Sequence, residues 1–442
     1  MAEDDTTWGM NDVDSAFVTR SFQDLFSTLS PWKVDGDLVL DISIYSRSDS
    51  DHWFKYLEFG PDMPPGRSSP SFRQSEVSTQ SLTDLYDDPA HGWRAGRRET
   101  ALASRVIHRV FDEIECPLPC EDEELEKKCW QRLPLLPAIT GVYLRQQTRR
   151  RWKPTDLAQM FARFPNLEEL WYEPWKDEPL MQHFTDKCEY AAISLTLPSD
   201  FPVNDSNPPV DHEMLFDSLH KGLRTMILFE NFNQDYDTPK SWDLEAVRTR
   251  KENTALARKL ARTSTDLEVL SASYIVDARH FFDARRESCI RPNLTSLALT
   301  SSLLGPDASS ADIDGMLLNA AAAALRMPKI QTIEIWNGKE GLVMLFRYRT
   351  ARDGQSVAVT LRGTSEVILG PTVAQAWEAV ALQHRHGRVK IESDSIDGRI
   401  IKSHGDALCH LKLSMQVIRS VSLRQIVKED QLRTGPSDTN IW

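Results

Sequence analysis

Three cysteines lie close together in the chain and are the residues best suited to bind a metal ion. Cys116, Cys120 and Cys129 follow a C-x3-C-x8-C spacing. A structural zinc site needs four ligands, usually in two pairs, and no fourth ligand stands nearby. The 6 cysteines are also too few for a disulfide scaffold in 442 residues. The sequence therefore favours free thiols in the cytoplasm or nucleus, with no bound metal or cofactor.

The stretch Ser403-His404-Gly405-Asp406 contains the residue types of a hydrolytic triad. Residues in a single turn cannot place a base between the nucleophile and the group that orients the base. The same residues are typical of a helix N-terminus, with Ser403 as the cap and Asp406 accepting backbone amides. We therefore predict a capping motif. An enzyme stays as an alternative function only if distant residues assemble its active site.

Two histidines, His384 and His386, could supply two metal ligands, but no carboxylate or cysteine lies close to them in the sequence. Metal sites in proteins need further ligands of this kind. Polar and cationic groups are common at helix C-termini. The pair therefore predicts a solvated helix end.

Arginines and a lysine over residues 145–153 form a basic cluster that could contact phosphate groups: Arg145, Arg149, Arg150, Arg151 and Lys153. The chain as a whole carries a net charge of −13, from 52 Lys+Arg and 65 Asp+Glu. An acidic balance argues against a nucleic-acid partner. The cluster is therefore expected to pair with the chain's own acidic segment, and a nucleic-acid-associated adaptor is the alternative.

Six short segments after residue 137 share one template, with apolar residues at positions 1, 4 and 6. They are Ile139/Val142/Leu144, Leu167/Leu170/Tyr172, Leu223/Met226/Leu228, Leu267/Leu270/Ala272, Leu294/Leu297/Leu299 and Ile330/Ile333/Ile335. Positions 4 and 6 of a strand share a face, and position 1 turns inward at its start, so one helix layer could cover all three. The segments start 28, 56, 44, 27 and 36 residues apart.

The shortest of these intervals match a leucine-rich repeat. The predicted fold is therefore α/β, an irregular leucine-rich-repeat-like solenoid in which the six segments are neighbouring, mostly parallel strands. A generic α/β sheet with buried strands is the alternative.

The rest of the chain divides by composition around this body. Residues 1–60 form an acidic segment with one predicted helix and one strand, and residues 61–93, rich in proline and serine, predict a flexible insertion. The body spans 94–336. Asn337-Gly338 predicts a hairpin turn, and residues 337–442 are predicted to form an antiparallel α+β cap at the end of the solenoid. No apolar run approaches the length of a membrane-spanning helix.

Positions 3, 5 and 7 of the repeated segments should point away from the helix layer. Such positions are normally polar, but several residues here are large and apolar. Either the N-terminal segment covers them, or they form a partner-binding strip, since exposed aromatic patches mark interaction sites. The candidate partner-binding residues are Tyr143, Arg145, Trp171, Glu173, Ile227, Phe229 and Trp336.

Several blocks of the chain resemble a family of fungal proteins that carry a large domain of unknown function. The blocks are LPAITGVYLRQQTRRRWKP, NLEELWYEPW, LFENFNQDY, LTSLALTSSLL, MPKIQTIEIWNGKEG, LFRY, AWEAVA and SHGDAL, within residues 15–430. Members often carry an upstream F-box-like segment and a leucine-rich-repeat-like body, although no LPxEI-type opening stands before Phe17 here. The resemblance implies a substrate-recognition adaptor of ubiquitin-ligase type and brings no catalytic residues. We therefore predict an intracellular module that recognises a protein partner.

Overall fold

The computed structural model describes residues 12–45, 62, 89, 93–94, 97–98, 113–114, 123–146, 150–175, 221–231, 254–284, 290–350, 357–366 and 369–434. Within these residues the chain forms a mixed α/β fold. The helices are α1 (Asp12–Leu29), α2 (Glu123–Arg132), α3 (Pro154–Phe161), α4 (Thr254–Thr263), α5 (Ala278–Asp283), α6 (Ser310–Ala324), α7 (Pro371–Gln383), α8 (His404–Leu411) and α9 (Ser420–Thr434). The strands are β1 (Leu38–Asp41), β2 (Trp93–Arg94), β3 (Arg97–Arg98), β4 (Glu113–Ile114), β5 (Ile139–Leu144), β6 (Arg151–Trp152), β7 (Glu169–Tyr172), β8 (Thr225–Phe229), β9 (Val269–Asp277), β10 (Ser296–Thr300), β11 (Thr332–Lys339), β12 (Leu342–Thr350), β13 (Val357–Gly363) and β14 (Val389–Ser395).

Ten of these strands form one sheet in chain order, β1-β5-β7-β8-β9-β10-β11-β12-β13-β14. Pairing is parallel from β1 to β11, antiparallel from β11 to β13, and parallel between β13 and β14. The six template segments therefore lie in neighbouring parallel strands, as the sequence predicts. Their fourth positions align in one buried row: Leu170, Met226, Leu270, Leu297 and Ile333.

The helix layer covers one face of this sheet, which we call the helix face. Every residue at template positions 1, 4 and 6 is buried there, in a single cluster with apolar residues of α3 to α7. The helices start at sequence signals that suit a first turn, such as Pro154 in α3 and Pro371 in α7. The N-terminal helix α1 also packs on this side, where Phe22 contacts Trp130 and Trp152.

The opposite face of the sheet, which we call the cover face, is also buried from β8 to β12. A second apolar cluster joins sheet residues such as Phe229 and Trp336 to Leu408, Leu411 and Ile418 of the C-terminal chain. We call residues 396–434 the C-terminal cover. They extend across the cover face of the sheet. The described part of the fold is thus one sheet between two covering layers.

The predicted turn at Asn337-Gly338 lies elsewhere. Both residues belong to β11, and Lys339 pairs with Leu342, so the turn consists of Glu340 and Gly341. Gly341 adopts a φ of 71°, which glycine tolerates best. Gly338 has a different role, because a Cβ there would lie 2.7 Å from the Cβ of Ala407 in α8. The glycine is needed for close packing of the cover.

Several predictions concern residues that the structure does not describe. The insertion at 61–93 is described only at residues 62, 89 and 93, and Cys116 and Cys120 lie outside the described ranges. The division into four segments therefore stays a prediction. Among the described helices, none combines the length and apolar character needed to cross a membrane.

Candidate functional site

The seven candidate partner-binding residues are covered in the described conformation, which is one of the two alternatives that the sequence leaves open. Six of them are buried and Tyr143 is half-buried: Arg145, Trp171, Glu173, Ile227, Phe229 and Trp336 have exposures of 9%, 6%, 2%, 2%, 0% and 0%. Among the described residues, helix α1 of the N-terminal segment is not the element that covers the aromatic residues. Helix α1 packs on the helix face, whereas residues of the C-terminal cover pack against the strip.

Tyr143 and Trp171 hold a side chain of the cover between them, and we call this pair the arginine cradle. The Arg419 guanidinium carbon lies 4.5 Å from the centroid of the Tyr143 ring and 4.6 Å from that of Trp171. The two rings contact each other edge-on at 6.0 Å. A cation at this distance from an aromatic face is attracted by about 0.5–2 kcal/mol, and more strongly when water is excluded. The cradle thus anchors the cover at Arg419.

Glu169 fixes the orientation of both cradle rings. Tyr143 Oη donates to Glu169 Oε1 at 3.2 Å, and Trp171 Nε1 donates to the same oxygen at 2.5 Å. Burial, with the nearby Glu169 carboxylate, raises the pKa of Tyr143 to about 12. The phenol therefore remains a hydrogen-bond donor at neutral pH.

Two acidic residues of the N-terminal quarter pair with arginines at this site. Asp62 forms an ion pair with Arg419, and its second oxygen accepts from the Val421 backbone N–H at 3.3 Å. Asp41 pairs with Arg145, with 2.6 Å between Arg145 Nη2 and Asp41 Oδ2. The predicted pairing of the basic cluster with the acidic segment is therefore confirmed for Arg145, whose guanidinium pairs with Asp41.

Glu173 is a buried carboxylate that the cover satisfies. It accepts from the backbone N–H of Arg419 at 2.6 Å, from the backbone N–H of Gln146 at 3.3 Å and from Ser422 Oγ at 2.5 Å. Burial raises the pKa of Glu173 above its ordinary value, although these hydrogen bonds act in the opposite direction. An unpaired carboxylate at this depth would be very costly, so Glu173 requires the cover.

Glu334 has the same role on β11. This carboxylate is fully buried and accepts from the backbone N–H of Ser414 at 2.7 Å, while Arg347 Nε donates to it at 2.6 Å. In the same region Arg362 Nε donates to the carbonyl of His410 at 3.0 Å. Glu334 therefore binds the backbone of the linker between α8 and α9, and this hydrogen bond does not depend on the linker's side chains.

Tyr274 lies beside Phe229 and Trp336 on the cover face, and the repeat pattern did not identify it. It contacts Phe229 and Trp336 edge-on, with centroid distances of 5.5 and 5.1 Å, and its hydroxyl donates to the Gly338 carbonyl at 2.7 Å. Its φ is 62°, which is unusual for a bulky residue. The register shift between β9 and β10 allows this conformation, and no sequence signal marks it.

The residues of the apparent triad form a helix cap, as predicted. Ser403 Oγ accepts from the Asp406 backbone N–H at 3.1 Å, and Asp406 accepts from the Lys402 backbone N–H at 3.0 Å. His404 Nε2 lies 2.8 Å from Asn231 Oδ1, which is an amide oxygen. The geometry therefore contains no Ser-His-Asp relay at this helix.

His384 and His386 are not at a fully solvated helix end, which corrects that prediction. His386 Nδ1 lies 2.9 Å from the Tyr348 hydroxyl, and His384 Nε2 lies 2.9 Å from the Ala324 carbonyl. Burial and the neighbouring His384 lower the pKa of His386 below its ordinary value. Within the described residues, no group of three or more His, Cys, Asp or Glu could hold a metal ion.

The fold and site define a mixed α/β protein whose sheet binds its own C-terminal cover. Residues 218–419 match a family described as "Family of unknown function (DUF6546)". The match runs from just before β8 to Arg419, so it includes the linker but not the arginine cradle. Searches of curated proteins and of solved structures gave no match.

Proposed function

We propose that the protein is a protein–protein recognition module whose cover face binds a short polypeptide segment. In the described conformation the protein's own linker, residues 412–419, occupies that face. The proposal rests on the way Arg419 is bound. Its side chain lies in the arginine cradle, and its backbone N–H donates to Glu173. One residue is thus bound through both its side chain and its backbone.

The contacts also define which segment this face would accept from a partner. Glu173 and Glu334 accept backbone N–H groups, which any extended or turn segment can supply. The cradle selects a cation, and a planar guanidinium suits two aromatic faces better than an ammonium does. Val417 and Ile418 are buried just before Arg419. The proposed ligand is therefore a segment with two apolar residues followed by arginine.

A more specific function, as a substrate-recognition adaptor of ubiquitin-ligase type, is proposed from the family resemblance of the sequence alone. A leucine-rich-repeat-like relationship of the body is supported by the parallel strands in chain order and by the buried fourth positions. A partner segment would have to displace the linker, because the linker is held at a high local concentration.

Peptide binding to the full-length chain tests the proposal. A labelled peptide covering residues 410–424 is titrated into wild type, Arg419→Ala and Arg419→Ala/Trp171→Ala. Removing Arg419 weakens the linker, so the single variant should bind the peptide about ten-fold more tightly than wild type, and the double variant should lose this gain. Arg399→Ala is the charge control, since Arg399 is 89% exposed and pairs with Asp397 at the surface. Equal binding by all four chains would contradict the proposal.

A further inference from the structure

Among the described residues β14 is the last strand of the sheet, and no other described strand pairs with its outer edge. β14 is hydrogen-bonded to β13 on one side and is the last strand in the sheet order. Residues 390–395 are all exposed, including Ile391 at 49%. An exposed strand edge is a template for pairing with another strand, and proteins control such edges by charge. The charges of β14 therefore determine which strand could pair with it.

The hydrogen bonds to β13 show which backbone groups point outward. The Arg388 carbonyl accepts from the Val357 N–H at 3.3 Å, and the Ile396 N–H donates to the Gly363 carbonyl at 2.8 Å. Because these groups alternate along a parallel strand, even-numbered residues face β13 and odd-numbered residues face outward. Val389 confirms this direction, since its N–H donates to Glu378 Oε2 at 3.1 Å and not to β13. Ile391 and Ser393 therefore present their backbone groups to an incoming strand.

We propose that β14 pairs antiparallel with β14 of a second copy of this chain, with Ile391 opposite Ile391. In this register Lys390 stands opposite Glu392 of the other copy, and Arg388 stands opposite Asp394. Two-fold symmetry repeats both contacts, so four pairs of opposite charge flank the central isoleucines. No residue in the register opposes a like charge.

Neighbouring registers lack this match. Centring the pair on Glu392 places two glutamates opposite each other, and centring it on Lys390 places two lysines opposite each other. Centring on Ser393 sets Glu392 against Asp394. Like charges directly opposite each other destabilise a strand pair. The pattern of β14 thus favours the register centred on Ile391 and opposes these three neighbouring registers.

The backbone supports a short ladder in that register. The two Ile391 residues exchange two hydrogen bonds, and each Ser393 N–H can donate to the Val389 carbonyl of the other copy. The Val389 N–H already donates to Glu378, so the ladder ends there. The even-numbered side chains, Lys390, Glu392 and Asp394, lie on the same side as Arg362, which pairs with Asp394. The isoleucines meet on the other side, at the helix face.

Charge exchange provides the first test, with sedimentation equilibrium of the full chain over a concentration series. Wild type should form a dimer. Lys390→Glu opposes Glu392 of the other copy and should weaken the dimer at least about ten-fold. The double variant Lys390→Glu/Glu392→Lys restores opposite charges in the same register and should restore the dimer. A monomeric wild type, or failure of the double variant to recover, would overturn the proposal.

Two further variants test the register itself. Ile391→Pro removes an outward N–H that β13 does not use, so it should abolish the dimer without unfolding the chain, as circular dichroism would verify. Under mild oxidation Ile391→Cys should form a disulfide between two copies, because its symmetry mate is directly opposite. Ser393→Cys is the matched control, because Val389 is directly opposite it and its own mate is four positions further along, so it should remain uncoupled. A dimer unaffected by Ile391→Pro would place the interface elsewhere and reject this edge.

Discussion

Replacing Trp336 with alanine tests whether the cover face is a true core. Trp336 has an exposure of 0% and packs against Tyr274 beneath the C-terminal cover. Truncating a large aromatic residue in a core costs about 3–5 kcal/mol of the free energy of unfolding. An exposed binding strip would instead tolerate the change with little loss of stability. We therefore expect Trp336→Ala to lower the free energy of unfolding by about 3–5 kcal/mol.

The indole N–H makes the conservative variant equally informative. Trp336 Nε1 is buried and has no hydrogen-bond partner. An unsatisfied buried donor costs about 1–3 kcal/mol. Trp336→Phe removes this donor while keeping an aromatic ring. Removing the cost of the unsatisfied donor should therefore offset most of the packing free energy lost with the smaller ring. The expected net destabilisation is about 1 kcal/mol or less.

Urea denaturation followed by far-ultraviolet circular dichroism measures both variants against wild type. Trp32→Ala is the control, since Trp32 is 49% exposed and its loss should change stability by less than about 1 kcal/mol. A loss below about 1 kcal/mol for Trp336→Ala would mean that the cover is not docked in solution. If Trp336→Phe cost as much as Trp336→Ala, the indole N–H would have a partner, and the reasoning from burial would be refuted.

Two further predictions concern a buried carboxylate and a crowded glycine. Because the folded-state pKa of Glu173 is raised, its contribution to stability is complete below the unfolded-state value of 4.5 and is lost as the pH rises through the folded-state pKa. Glu173→Gln should therefore show a weaker fall in urea midpoint with rising pH than wild type, and an unchanged pH slope would count against this assignment. At Gly363 a Cβ would lie 2.6 Å from the Val343 carbonyl oxygen, so Gly363→Ala should destabilise the protein by about 1–3 kcal/mol. Gly315→Ala is its control: nothing lies within 4 Å of a Cβ there, in α6, and thermal denaturation should show a gain of about 0.5–1 kcal/mol. Similar shifts for the two alanine variants would disprove the steric argument.

The sequence by itself determined the strand array and its helix face. Apolar residues at positions 1, 4 and 6 are a local pattern, and every one of them is buried in the predicted orientation. The capping pair of Ser403 and Asp406 is local in the same way. Such signals succeed because strand pleat, helix period and capping depend on a few neighbouring residues.

Only the tertiary structure decided what covers the other face. The alternation of side chains along their strands directs Phe229 and Trp336 away from the helix layer. This alternation alone cannot distinguish an exposed strip from a second core. The answer depends on contacts across long separations, such as Arg419 with Tyr143 and Glu173. Glu173 and Glu334 are acidic residues, yet both are buried because backbone N–H groups of a distant linker donate hydrogen bonds to them. A polar residue can be buried only where a hydrogen-bond partner is available, and here only the folded chain brings that partner close.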